Sequence, residues 1–288
     1  MSEVVRLRAR AGAPVADVHR ALTDAAQLRV WLAEHAEVDL PDRYAFWGRY
    51  TPEGDVPRQR PLHVDDRTVR FAWRIGGEDT TAEFRLEEEG AAATIVSLAQ
   101  THVPPWSEAA AEAGPRAVLF TFWSLAIANL VDHLEGRELT PKVDFTSPVM
   151  REQVVVAAPP DAVWRSLVTP AELRRWFGVT VDIEPHVGGR LAMGGFDAVA
   201  EPARIVDLEP GRSLTVDWGS MVSTWELEGT EGRTRLTFVQ SGFDEQHPPY
   251  AGWLGGVAGL GRYHELADWQ PIWLDLEPGV PSGVIATD

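Results

Sequence analysis

Apolar and polar residues along the chain fall into two series of elements that run in the same order. Each series opens on an alternating stretch, "EVVRLRAR" near the start and "REQVVVA" past the middle, which predicts a strand. Val18 and Leu22, like Val163 and Leu167, then stand four apart and share one face of a short helix. A second helix follows in both. Leu28, Trp31 and Leu32 form its apolar stripe in the first series, and Leu173, Trp176 and Phe177 form it in the second. Thr169, Pro170 and Glu172 have the spacing of a capping box with proline in the first turn; Asp24 and Gln27 occupy the matching places.

Period-two segments come next: "VRFAWRI", "TAEFRL" and "ATIVSLAQTHV" in the first series, "LTVDWGS", "STWELE" and "TRLTFVQSGF" in the second. "EEEG" and "EGTEG" are their hairpin turns. Each series ends on a longer helical pattern, with Trp123, Ile127, Leu130 and Leu134 on one face and Trp253, Val257, Leu260 and His264 at the same spacing. The parallel extends to identity. Pro14–Trp31 and Pro159–Trp176 align without a gap at an offset of 145, and eight of the 18 positions are the same residue. Chance gives about one. A repeat this long is a duplicated domain rather than a solenoid unit. The boundaries read as residues 1–137 for the first domain, 138–148 for a Pro-bearing linker, 149–268 for the second domain and 269–288 for an apolar tail docked on the domains.

The second copy carries more than periodicity. Pro-x-x-x-Val-x-x-x-Leu, then Thr-Pro-x-x-Leu-x-x-Trp-Phe, "PHVGGRLAMGG", "ARIVDLEPGRSLTVDW" and a Trp-bearing terminal helix resemble the AHSA1-like branch of the SRPBCC (START-like, Bet v 1-like) superfamily. The resemblance runs from Val149 to about Ala267 and is weaker in the first copy, where "FWGRYTPEGDVPRQR" replaces the Gly-Gly-Arg turn. It implies an α+β fold of two helix-grip (Bet v 1-like) domains, each a curved antiparallel sheet wrapped around a long C-terminal helix with a cavity between them. Members of the superfamily bind lipids, hormones or polyketides, and some are cyclases. The branch is named for an Hsp90 ATPase activator, whose separate Hsp90-binding segment has no counterpart among these residues.

Composition narrows the function. With 26 basic against 43 acidic residues, the net charge of −17 disfavours nucleic acid and anionic membrane surfaces as partners. No apolar run is long enough for a membrane span, and the opening "MSEVVRLRAR" lacks the pattern of a secretory signal, so a cytoplasmic location is the default expectation. Cysteine is absent, and the eight histidines keep no metal-ligand spacing; neither a metal nor another cofactor is expected. No nucleophile elbow, phosphate loop or dinucleotide fingerprint occurs.

What chemistry remains is inferred from strand parity. Val96 and Leu98 place Gln100 and His102 on the apolar face, and Leu236 and Phe238 place Gln240 there. A buried amide is either paired within the fold or open to a ligand. His102 and His264 are the candidates for acid–base work; His102 reads equally as a hydrogen-bonding residue at the cavity rim, and His264, in the place of Leu134, as a polar group on the cavity face. Trp73, Phe84, Gln100 and Trp123 in the first copy, and Trp218, Trp225, Phe238, Gln240, Tyr250, Trp253, Val257, Leu260 and His264 in the second, are the candidate ligand-binding residues, with core packing the alternative for the rings. Glycines at 252, 255, 256, 259 and 261 thin the last helix. They either leave a roomier cavity beneath it or allow close contact with a neighbour. The leading expectation is binding, including sequestration, of an apolar aromatic small molecule, mainly in the second domain. A polyketide-type cyclase or dehydratase and a protein-interaction module are the alternatives.

Overall fold

A computed structural model describes residues 3–104, 114–178, 180–243 and 252–274. The chain divides into two compact units, the first taking Met1–Thr146, Glu245–Gly255 and Ile272–Asp288 and the second Ser147–Asp244 and Gly256–Pro271. Each repeats one α+β plan, a sheet closed by helices, as the duplicated hydrophobic pattern requires.

The first unit runs β1 (Glu3–Ala11), α1 (Val15–Thr23), α2 (Ala25–Trp31), β2 (His35–Asp39), β3 (Arg43–Trp47), β4 (Gln59–Val64), β5 (Thr68–Ile75), β6 (Glu78–Glu88), β7 (Thr94–Val103) and α3 (Leu119–Leu134). Its antiparallel sheet has the order β1-β7-β6-β5-β4, with β2 and β3 as a separate hairpin. The Gln59 side chain bridges the break between hairpin and sheet, its Oε1 accepting from the amide of Phe46 at 3.2 Å. Asp24 caps α2, its Oδ1 accepting from the Gln27 amide at 2.9 Å.

The interior between α3 and the sheet is filled with rings. Trp123 of α3 meets Phe122, Phe84, Trp73 and Phe46 at centroid separations of 4.9, 5.5, 5.8 and 6.4 Å, all steeply inclined. Edge-to-face geometry sets the positive rim of one ring on the negative face of the next. A void of about 10 Å³ beside Trp31, Leu125 and Val143 has room for one water.

Residues 138–146, read from sequence as linker, are built into this unit. Buried Asn129 of α3 clasps Thr140 in both directions, donating to its carbonyl at 2.9 Å and accepting from its amide at 3.0 Å. Lys142 caps the end of α2, its Nζ donating to the carbonyls of Arg29 and Val30 at 3.0 and 2.8 Å. Asn129→Ala leaves a buried amide and carbonyl without partners, so it is expected to cost about 2 kcal/mol. Amide exchange across residues 119–143 checks this: unchanged protection there refutes the clasp's contribution. The described end of the apolar tail also belongs to this unit. Arg10 donates to Ile272 and Leu274 to Arg8, at 2.9 and 3.0 Å, which covers the open edge of β1.

The second unit runs β8 (Val149–Val156), α4 (Pro160–Val168), α5 (Pro170–Phe177), β9 (Val181–Ile183), β10 (Arg190–Met193), β11 (Ala203–Glu209), β12 (Ser213–Asp217), β13 (Val222–Thr230), β14 (Arg233–Ser241) and, from Gly256 onward, α6 (Gly252–Glu265). Its seven strands form one continuous antiparallel sheet, β8-β14-β13-β12-β11-β10-β9. Thr169 precedes α5, but its side chain makes no capping bond. Glu172 is turned away, accepting from the Tyr263 hydroxyl at 2.6 Å. The predicted capping box is therefore replaced by a bond between helices.

The glycines of α6 serve close approach at two positions. A methyl group on Gly256 would stand 2.3 Å from the Phe177 ring, and one on Gly259 would stand 2.6 Å from the Trp176 carbonyl oxygen. Here the missing side chains admit α5 to contact distance and do not leave a void. Gly261 faces open space.

Candidate functional site

The glutamines predicted to face inward are both buried, and their surroundings differ. In the first unit Gln100 of β7 donates to Thr80 Oγ1 at 2.8 Å, while its Oε1 accepts from the Trp123 indole at 3.2 Å. Both ends of the amide are used, and Trp73 and Phe84 are packed beside Trp123. These four candidate ligand residues form a closed core.

In the second unit Gln240 of β14 donates through Nε2 to Ser223 Oγ at 2.9 Å, with Met221 Sδ at 3.0 Å. Trp218 Nε1 donates to the same Ser223 hydroxyl at 3.0 Å. Gln240 Oε1 is buried and has no hydrogen-bond partner among the described residues. Turning the amide over does not repair this. Oε1 would then accept from Ser223, and the NH2 group would be stranded in its place. One end of a fully buried amide is left over either way, which costs about 1–3 kcal/mol unless a bound molecule meets it.

Around this amide Phe238 and Trp225 are buried with centroids 5.2 Å apart, and Trp218 is half-buried at the β12–β13 turn. Val257 and Leu260 are buried on α6, and so is Trp253, on the first turn of that helix, which belongs to the first unit. Tyr250 lies outside the described residues. The amide's partners are a hydroxyl, a thioether and, through Ser223, an indole. None of these titrates near neutrality.

Neither candidate histidine bonds to either amide. His102 does not follow the parity that places Gln100 inside. It is the extra residue of a β-bulge, since Thr101 pairs with Val4 and Val103 with Glu3. Its φ of 60° turns it off the apolar face, and its Nδ1 lies 3.1 Å from Thr101 Oγ1. Sequence parity has no signal for such an insertion. His264 of α6 lies against α4 instead, with Nε2 3.0 Å from Ser166 Oγ, in the wall of an open groove. Burial pushes its pKa below the usual histidine value, against the smaller opposing pull of Glu172. Ser166 is a residue that sequence reasoning missed, because the two groups are 98 positions apart.

Among the described residues no cluster of three or more His, Asp or Glu is placed to hold a metal ion. No described helix is long and apolar enough to cross a membrane.

A family model described as "Activator of Hsp90 ATPase homolog 1-like protein" matches residues 12–135 and again 157–265. No curated protein gives a significant match. Among solved structures the chain is similar to CalU16 from Micromonospora echinospora, at 22% identity over 48% of this chain and 77% of that one, with a TM-score of 0.37. It is also similar to DynU16, a protein of the dynemicin biosynthetic locus, at 18% identity over 91% and 99% of the two chains, TM-score 0.40. The di-domain ARO/CYC BexL from the BE-7585A biosynthetic pathway aligns at 16% identity over 93% and 99%, TM-score 0.35.

Proposed function

Because the chain belongs, through both of its repeats, to the family of Activator of Hsp90 ATPase homolog 1-like proteins, we propose that one repeat is a structural copy and the other a binding domain. The second unit takes an apolar aromatic molecule between its sheet and α6, anchored at one polar point by Gln240. A single observation carries this reading: the Gln240 amide has an unmet buried end, whereas Gln100 has none. An apolar pocket with one well-placed polar group orients a ligand without reacting with it. Non-titrating partners around the amide favour retention over acid–base turnover. Trp218, Trp225, Phe238, Val257 and Leu260 supply the apolar contact in this reading.

The test uses two readouts that oppose each other. Gln240→Leu removes a stranded polar group, so the unliganded second unit is expected to gain about 1 kcal/mol in stability, seen as slower amide exchange. The same variant is expected to bind 2-naphthol at least about tenfold more weakly by calorimetry, having lost the anchor for its hydroxyl. A destabilised variant means that the amide is satisfied internally. Unchanged 2-naphthol affinity, or no binding to the parent protein, means that Gln240 anchors no such ligand. Native mass spectrometry of gently purified protein, with solvent extraction, then identifies what the domain carries.

A further inference from the structure

The groove that receives His264 is an open cleft of about 590 Å³ in the second unit, lined by residues of α4, α5, α6 and the turn after α6. Unlike the interior around Gln240, it carries charged side chains. Its walls carry Arg165, Arg175, Glu172, Ser166, Tyr263, His264 and Trp269.

The duplication supplies an internal control for this groove. At the offset of 145, Ser166 stands in register with Ala21, Arg175 with Val30 and Glu172 with Gln27; the helical spacing sets His264 against Leu134. Ser166, Arg175 and His264 are therefore polar in one copy only, and Glu172 carries a charge where the first copy has the neutral amide of Gln27. Arg165 does have a counterpart, Arg20, but its circumstances differ. Arg20 is held by Asp17, and the residue in register with Asp17 is Ala162. The Arg165 Nε donates to the Asp161 carbonyl at 3.3 Å, and its terminal nitrogens meet no carboxylate among the described residues. Arg175 lies over the Tyr263 ring at 5.4 Å and only 3.9 Å from Glu172 Oε1, whose other oxygen is taken by the Tyr263 hydroxyl. In a chain of net charge −17, this cleft carries two guanidinium groups against one carboxylate.

Ser166 Oγ lies 3.0 Å from His264 Nε2 and 3.2 Å from the Ala162 carbonyl. A hydroxyl has one proton, and the carbonyl can only accept it. All three atoms are satisfied when Ser166 donates to Ala162 and His264 donates through Nε2–H to Ser166. The neutral imidazole then keeps a lone pair on Nδ1, for which no described residue provides a donor. Tyr263 and Trp269 meet edge to face at 5.3 Å, which leaves ring surface in the wall.

We propose that this groove is a second ligand site, specific for a hydroxy-substituted aromatic carboxylate. The guanidinium groups receive the carboxylate, with fork geometry that matches two oxygens. The Tyr263–Trp269 pair receives the ring, and His264 Nδ1 accepts the hydroxyl proton.

Calorimetric titration with 6-hydroxy-2-naphthoate tests the site, with 2-naphthoate and 6-hydroxy-2-naphthamide as comparators. Saturable binding of the hydroxynaphthoate is expected, about tenfold weaker without its hydroxyl and at least about tenfold weaker as the amide. The double variant R165Q/R175Q changes two exposed side chains and is expected to reduce affinity by the same order, while Gln240→Leu leaves it unchanged. Failure of the hydroxynaphthoate to bind, equal binding of the amide, or indifference to R165Q/R175Q overturns the proposal. Loss of binding in Gln240→Leu also overturns it, since the ligand would then occupy the interior.

Discussion

Trp123→Ala is expected to unfold most of the first unit's core. The indole sits against Phe46, Trp73, Phe84 and Phe122, so truncation opens a hole among four rings, of which Trp73 also packs on Phe46 and Phe122. Removing a buried Trp costs about 3–5 kcal/mol. The loss of its N–H strands Gln100 Oε1, which adds about 1–3 kcal/mol. Together these approach the whole stability of an average domain, about 5–15 kcal/mol. Amide exchange read separately over the two units checks this, with protection collapsing in β5 to β7 and persisting in β12 to β14. Two milder variants divide the cost. Trp123→Phe keeps most of the ring and loses the hydrogen bond, and is expected to cost about 2 kcal/mol. Combining it with Gln100→Leu recovers most of that, because the stranded oxygen is then gone. If Trp123→Phe is neutral, the indole–amide bond contributes nothing, and the contrast with Gln240 loses its force.

The same contrast shows what the sequence makes legible. Strand parity identifies both glutamines as inward because alternation is a property of the local backbone. Whether an inward amide is satisfied depends on a helix that follows later in the chain, which parity does not report. At His102 a single inserted residue turns the side chain off the apolar face, so the rule that places Gln100 correctly fails two positions later. The Thr-x-x-Glu spacing at Thr169 fails for a related reason. Local geometry permits the capping box, but the Tyr263 hydroxyl competes for the glutamate and holds it. The repeat, the order of elements and the buried stripes of the paired helices are all local patterns, and the structure has them as read. The Ser166–His264 contact and the groove around it are tertiary, and no spacing announces them.

Glycine in α6 poses the same problem most acutely, because one residue type there has two opposite meanings. Interior glycine costs a helix about 1 kcal/mol relative to alanine, so each Gly→Ala change would stabilise an isolated helix. Gly259→Ala is instead expected to destabilise the second unit by about 2–4 kcal/mol net. Its new methyl carbon falls 2.6 Å from the Trp176 carbonyl oxygen, nearly an ångström inside contact, and that oxygen belongs to backbone that cannot rotate away. Relief requires α6 to move off α5. That displaces Trp176, whose indole is fixed by a 2.9 Å bond to the Ser166 carbonyl. Gly261→Ala, two residues along the same helix and facing open space, is expected to gain up to about 1 kcal/mol. The pair is read by urea denaturation with amide exchange assigning the change to the second unit. Opposite signs establish that close contact with α5 explains Gly259. Stabilisation by both changes would mean that α6 stands free of α5, and that its glycines do leave room beneath it.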